Sequence, residues 1–446
     1  MSHELLQAWE ETLRHRGGDR AVVQSWDRKS CTFRELDGRA ASWMAAHTPP
    51  EGLVGATVVF SAPNGLDWFA IFLGLLRAGA TLVPLDAAEP RGAQRIAADA
   101  LRAAFWWDGA RLVPLPRPRR YREPVCLVKL TSGTNGSPRP LAFTAAQLLA
   151  DARQVTATMG IRPGDLNYAL IPLGHSYGLG NLAIPLIAKG VAMVCGETPL
   201  PHAIAGDFRQ WRPTVFPCVP AVWRALADAQ VEPASLQSLR LPISAGAPLP
   251  PEVAREFVAR FGLRLRNFYG SSETGGISFD RSGGATLAGG VGRALRGVTI
   301  TRLRGGRIRV CSAAVFTRAN RGIRGRLGCW TPPDRVAVDA RGELVLAGRR
   351  GAMVKIAGRR VSLTEVELRL RKLAGVREAW VQVGPGPNAM LGAALAADRT
   401  AAEIRAELLP TTAAWKIPKR WIVLPALPLT ARGKVDTRAL YARLFA

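Results

Sequence analysis

Lysine is scarce in this chain: it supplies only 8 of the 60 basic residues, and the rest are Arg. Acidic residues are few as well, 34 in 446, which leaves a formal charge of +26 at neutral pH. The excess is not gathered into a run of five or six like charges, and the densest patch lies around 117–122. A field of this sign attracts nucleic acid, anionic membranes or acidic small molecules. Spread thinly along the chain, it does not predict a specific nucleic-acid partner; it suits phosphate-rich ligands or an acidic carrier protein. Cysteine is also sparse, at 31, 126, 195, 218, 311 and 329, with no Cys-x-x-Cys pair. That excludes zinc-ribbon and thioredoxin-type chemistry and predicts buried free thiols in a reducing, cytoplasmic setting. No basic segment followed by an apolar core opens the chain, so no signal peptide is expected. No apolar run is long enough to span a bilayer: Tyr168–Val194 is interrupted by Pro172, His175, Pro185 and Lys189, and Trp68–Leu76 ends at Arg77. Internal repeats and low-complexity tracts are absent.

What is present is enough apolar residue, 48%, for a large core, in a chain too long for one compact body. Thr57–Phe60 reads as a buried strand, followed by a Pro63-Asn64-Gly65 turn, an apolar helix from Leu66 to about Arg77, and a strand at Thr81–Leu85. Strand, helix and strand at this spacing predict parallel pairing in an α/β sheet. Pro251–Phe261 reads as a helix with Val253, Phe257 and Phe261 on one face and Gly262 closing it, and Leu265–Phe268 as the strand after it. From about Leu295 short strands with Gly turns take over, at Arg307–Val310, Arg335–Val338 and Glu343–Leu346. Gly348–Gly351 is a Gly- and Arg-rich break. Beyond it, Ser362 to Glu365 fits a capping box before a helix at Thr364–Leu373, and Ala379–Val383 reads as a strand.

The segment richest in chemistry is Leu130–Arg139, Leu-Thr-Ser-Gly-Thr-Asn-Gly-Ser-Pro-Arg, after an apolar strand at Val125–Val128. Three hydroxyls and two glycines in six residues supply donors without bulk, as a loop wrapping phosphate oxygens needs. It is not a Walker loop, because no Gly-Lys-Ser/Thr ends it. Alone, the segment fits an ordinary polar turn equally well.

The stretch resembles the phosphate-binding loop of the adenylate-forming (AMP-binding) superfamily, to which acyl- and aryl-CoA synthetases belong, and further segments resemble that family's other motifs in order. Gly74–Asp86 is similar to an early structural motif; Pro172-Leu-Gly-His175 with Tyr177 is similar to the loop whose His lies near the carboxylate pocket. Ser244-Ala-Gly246-Ala247-Pro248-Leu resembles the adenine-binding loop. Asn267-Phe-Tyr269-Gly270-Ser271-Ser272-Glu273 resembles the motif whose Tyr stacks on adenine and whose Glu holds Mg2+. Asp334, in Trp330-Thr-Pro-Pro-Asp, stands where the family binds ribose, and Arg349 where it contacts ribose or phosphate. Val354-Lys355-Ile-Ala-Gly358-Arg-Arg resembles the signature opening a mobile C-terminal domain, with Gly351 at its hinge and Gly358 on the thiol channel. Pro428–Asp436 resembles the segment whose Lys, here Lys434, reaches the acyl carboxylate and α-phosphate.

The resemblance implies a large N-terminal domain over residues 1–347, built of α/β subdomains plus a small β-rich subdomain, a hinge at 348–351, and a small mobile α+β domain over 352–446. It implies ATP-dependent conversion of a carboxylic acid to its acyl-adenylate, then thioester formation on coenzyme A or a carrier protein's phosphopantetheine. Thr131, Ser132, Gly133, Thr134, Asn135, Gly136 and Arg139 would hold phosphates; Lys434, Glu273 and His175 would carry the chemistry, Glu273 through Mg2+. Tyr177, Phe216, Trp223 and Gly275-Gly276 are expected around the acyl group. Arg139 replaces the usual loop Lys, Ser272 a Thr, Pro333 a Gly, and Gly351 an acidic or Lys hinge. The alternatives are a free-standing acyl-AMP ligase with no thiol step and a non-catalytic, basic nucleic-acid-binding protein.

Overall fold

The computed structural model describes residues 4–121, 124–131, 139–316, 328–349, 353–356, 359–385, 390–410, 412, 414–430 and 433–445. The chain divides into two compact units. The first comprises Met1–Arg302, Arg309–Pro332 and Val338–Val345; the second comprises Leu303–Ile308, Pro333–Ala337 and Leu346–Ala446.

Two mixed sheets build the first unit. In the six-stranded sheet, Phe105–Trp107, Thr57–Ser61, Thr81–Leu85 and Leu127–Thr131 run parallel in that spatial order, and a hairpin strand closes each edge. All five residues of Thr81–Leu85 are buried, as a strand covered on both faces requires. In the nine-stranded sheet, Arg266–Ser271, Leu241–Ser244, Val215–Cys218, Leu166–Ala169, Ala192–Cys195 and Arg20–Gln24 are parallel neighbours, with antiparallel strands at both edges. Helix Pro251–Phe261 has the predicted bounds: Pro starts it where a missing N–H costs nothing, and Gly262 at φ +67° ends it. Its Val253, Ala254 and Phe257 pack into a core with Phe208, Phe216 and Trp223. Such large-residue burial supplies about 1.5–3 kcal/mol per side chain.

The second unit carries its own core. Val376–Val383, Leu391–Ala397 and Arg420–Leu424 form a three-stranded sheet, and helices Leu363–Arg371 and Ala401–Leu408 contribute Val366, Leu370, Ile404 and Leu408 to its apolar face. No helix among the described residues is long and apolar enough to cross a membrane.

The cysteines correct one expectation. Cys311 and Cys329 are opposed across antiparallel strands Arg307–Ser312 and Gly328–Trp330 and are joined as a disulfide. Cys31, Cys126, Cys195 and Cys218 are free and buried, as expected. Burial pushes the Cys31 thiol up to about 11 and those of Cys195 and Cys218 up to about 12, and raises Cys126 as well. Only thiolate alkylates. With maleimide at about pH 7.5, well below these values, the oxidised native protein is therefore expected to stay unlabelled at these four positions until it is unfolded. Reduction should add Cys329 first, since it is exposed. Rapid native labelling of Cys126 or Cys218, read by peptide mass spectrometry, would contradict the burial.

Candidate nucleotide site

Strands Leu127–Thr131 and Arg139–Phe143 form a hairpin with Thr131 opposite Arg139 and Lys129 opposite Leu141. The expected phosphate loop is thus the connection between two paired strands, which hold its ends at hydrogen-bonding distance. Ser132, Gly133, Thr134, Asn135 and Gly136 lie outside the described residues. Helix Ala145–Met159 follows with a full capping box, Thr144 on the Gln147 N–H and Gln147 back to Thr144. The Gln147 amide also donates to the carbonyl of Val315, at 2.7 Å. At the hairpin's return, the Arg139 guanidinium lies 5.2 Å from the Trp330 ring centre and 5.8 Å from that of Phe316.

Phe316 leads to the next motif, because its N–H donates to the carbonyl of Glu273 at 2.9 Å. Glu273 is half-buried in a turn between strands Arg266–Ser271 and Gly275–Phe279, closed by the Thr274 N–H on the Ser271 carbonyl. Next to Glu273, the Ser176 hydroxyl donates to that of Ser272 at 2.9 Å, which ties the turn to the loop carrying His175. His175 caps the short helix after it, its Nδ1 accepting the Tyr177 N–H at 3.3 Å. That loop is braced from below by a residue whose role the sequence did not reveal: the Asn64 side chain donates to Ile171 O and accepts from Leu173 N, both at 2.9 Å. Gly174 allows the backbone of Leu85 to approach so closely that a Cβ would overlap its carbonyl.

The proposed adenine-side residues sit at neighbouring strand ends. Leu241–Ser244 and Arg266–Ser271 are parallel partners, with Ser244 opposite Asn267. The chain leaves the first strand through Gly246, at φ +87°, into Ala247 and Pro248, while the second carries Tyr269, Gly270 and Ser271. A parallel sheet exposes its loops at these carboxyl ends, where α/β proteins bind ligands.

Beneath these motifs lies a charged pair missed from sequence. Lys129 and Asp151 are both buried. Burial lowers the Lys129 ammonium and raises the Asp151 carboxyl, and each partner's charge opposes that shift. Lys129 Nζ stands 4.4 Å from the Phe143 ring centre, and Asp151 accepts the Gly276 N–H at 2.9 Å. Gly275 has φ +69°, and a Cβ there would collide with the Asp151 carboxylate. The only sequence signal was a Lys inside an apolar strand.

The expected acyl-pocket set is partly corrected. Phe216 and Trp223 are fully buried core residues, their rings 4.8 Å apart, and Trp223 donates to Ile243 O. They support the sheet from behind. Tyr177 is buried 6.0 Å from Phe268, and its hydroxyl has no hydrogen-bond partner among the described residues.

In the second unit, Asp334 begins strand Asp334–Val338 and is half-buried, and Arg349 ends strand Leu344–Arg349. Lys355 lies opposite Arg360 in a two-stranded ribbon. Lys434 is exposed in a tight turn, its carbonyl accepting the Thr430 N–H at 2.7 Å, with Gly433 at φ +67° before it. Gly351 and Gly358 lie outside the described residues.

No group of three or more His, Cys, Asp or Glu among the described residues is arranged to hold a metal on its own. A lone half-buried carboxylate amid hydroxyls suits Mg2+, which takes one or two carboxylates and completes its shell with substrate phosphates and water. Glu273, half-buried in a turn between two hydroxyl residues, Ser272 and Thr274, is of the right chemistry to be such a ligand.

Residues 97–303 match a family model described as AMP-binding enzyme. Benzoate–CoA ligase of Thauera aromatica is 28% identical over 70% of this chain and 64% of its own length, so the chain spans under two thirds of that relative. A 2-hydroxy-7-methoxy-5-methyl-1-naphthoate–CoA ligase of Streptomyces carzinostaticus is 29% identical over 92% of this chain and 74% of its own. ATP-bound MatB from Rhodopseudomonas palustris superimposes with a TM-score of 0.83 over 99% of both chains, at 21% identity, a likeness of fold.

Proposed function

We propose, for a chain whose residues 97–303 belong to the AMP-binding enzyme family, that the protein converts an aryl carboxylic acid to its acyl-adenylate and then to a thioester. The observation that carries this reading is the unbroken series of contacts from Arg139 through Phe316 and Glu273 to Ser272, Ser176 and the His175 loop. Residues from separate motifs are neighbours in that series, Glu273 through its backbone carbonyl and the His175 loop through Ser176. The aryl preference and coenzyme A as acceptor are supported by the names of the two relatives, a benzoate–CoA ligase and a naphthoate–CoA ligase.

In the first step a carboxylate oxygen attacks the α-phosphorus of ATP and the bond to the β-phosphate bridging oxygen breaks, giving acyl-AMP and pyrophosphate. Tyr269 and the 246–248 turn hold the base, Asp334 the ribose, the 131–139 hairpin and Arg349 the phosphates. Glu273 would hold Mg2+, which offsets charge on the departing pyrophosphate. Lys434 brings carboxylate and α-phosphate together, and catalysis is positioning and charge stabilisation. In the second step a thiolate attacks the acyl carbon and AMP leaves. We take residues 1–347 as the adenylating domain, 348–351 as a hinge and 352–446 as a domain that turns between steps, Lys355 and Gly358 lining the thiol's path.

A panel of aryl and alkyl acids in ATP–pyrophosphate exchange tests the reading. Exchange dependent on benzoate-like acids, absent with aliphatic ones, is the expected result, and coenzyme A should then convert the adenylate to thioester. ATP binding with no exchange for any acid would overturn it.

A further inference from the structure

We infer that Trp330 and Phe316 are positioning residues that form an aromatic seat for Arg139 and aim its guanidinium at the part of ATP beyond the α-phosphate. The inference rests on the adenylation reading above. The Arg139 guanidinium is 5.2 Å from one ring centre and 5.8 Å from the other. The two rings meet edge to face, 5.3 Å apart at 78°. A guanidinium on an aromatic face is held by cation–π attraction and still presents N–H donors at its edge to phosphate oxygens. An ammonium is a compact, strongly hydrated point charge on a flexible stem and gains less from such a seat. The seat therefore fits the Arg that stands where related loops carry Lys.

The seat is anchored to the rest of the site. Trp330 lies opposite Val310 in a strand pair that Cys311 and Cys329 also link covalently. The Trp330 indole N–H is buried without a partner among the described residues, and the ring's recorded contacts are with the Arg139 guanidinium and the Phe316 ring. Phe316 and Val315 take hydrogen bonds with Glu273 and Gln147, so one turn fixes the seat, the proposed metal ligand and the helix after the phosphate hairpin.

The test is the dissociation constant of the full chain for MgATP and for AMP, measured calorimetrically on wild type, Trp330→Leu, Trp330→Phe, Arg139→Lys and the Arg139→Lys/Trp330→Leu double variant. Trp330→Leu should weaken MgATP about tenfold and leave AMP unchanged, a split that a merely structural role would not produce. Trp330→Phe should restore most of the loss, and in the Arg139→Lys background Trp330→Leu should cost nothing further. If Trp330→Leu does not fold, Phe316→Leu in the same two backgrounds carries the test. Equal losses in both backgrounds, or unchanged MgATP affinity in a folded Trp330→Leu, would overturn the seat alone. A wild-type chain that binds no MgATP would instead overturn the adenylation reading.

Discussion

Lys434→Ala should lower acid-dependent ATP–pyrophosphate exchange by about a hundred- to a thousandfold while leaving the melting temperature unchanged. Lys434 is exposed, and its turn is held by backbone, Thr430 N–H to Lys434 O and Gly433 at φ +67°. Truncating an exposed side chain changes stability by about half a kcal/mol or less. The chemistry depends on it far more. The attacking carboxylate and the α-phosphate are both anions, and the transition state adds negative charge to the phosphoryl oxygens. A cation shared between them is worth more there than in either ground state, so its loss appears in kcat rather than in the affinity for ATP. Lys434→Arg should recover part of the rate, since it keeps the charge but changes its shape. Exchange within about twofold of wild type in Lys434→Ala would remove this residue from the mechanism.

The parts of this molecule legible in its sequence are those where local pattern and tertiary environment agree. Thr81–Leu85 and Pro251–Phe261 have their expected bounds because one is an unbroken apolar run covered on both faces and the other has a Pro start, an i, i+4 apolar face and a Gly stop. The strand before the phosphate loop begins and ends later than the apolar run suggested, at Leu127–Thr131, since pairing with Arg139–Phe143 carries it into the motif. The disulfide left no sequence trace: its cysteines are 18 residues apart, and only sheet register sets them opposite one another. Phe216 and Trp223 read as pocket residues because a large aromatic side chain suits a ligand pocket and a core equally, and only the packing puts both in the core behind the sheet. Asn64 read as a turn residue, and only the fold shows that it braces the His175 loop. Lys129 and Asp151 are 22 positions apart by number, in an apolar strand and an Ala-rich helix, and only the packing makes them partners.

That buried pair carries the largest expected effect on stability. Lys129 and Asp151 act on each other through space, beyond ion-pair contact, so Lys129→Met or Asp151→Asn alone should destabilise the first unit by about 1–3 kcal/mol by removing the opposite charge that offsets the burial of the other. The double variant should recover most of that, since it removes both desolvation penalties. The two single variants should also respond to pH in opposite directions. Burial raises the Asp151 carboxyl above its ordinary value, with Lys129 opposing. Without Lys129 the rise is larger, and the folded state then favours the protonated acid. Stability is present below the unfolded pKa and is lost as pH rises through the folded one, so Lys129→Met should lose more as pH rises from about 4, the ordinary carboxylate value, towards neutral. In Asp151→Asn the remaining lysine is lowered by burial without a carboxylate to oppose it. The unfolded chain then binds the extra proton, and the deficit should shrink as pH climbs from about 7 towards about 10. Urea unfolding at these pH values measures both slopes. Parallel slopes, or a double variant as unstable as the sum of the singles, would mean that the two charges do not sense each other.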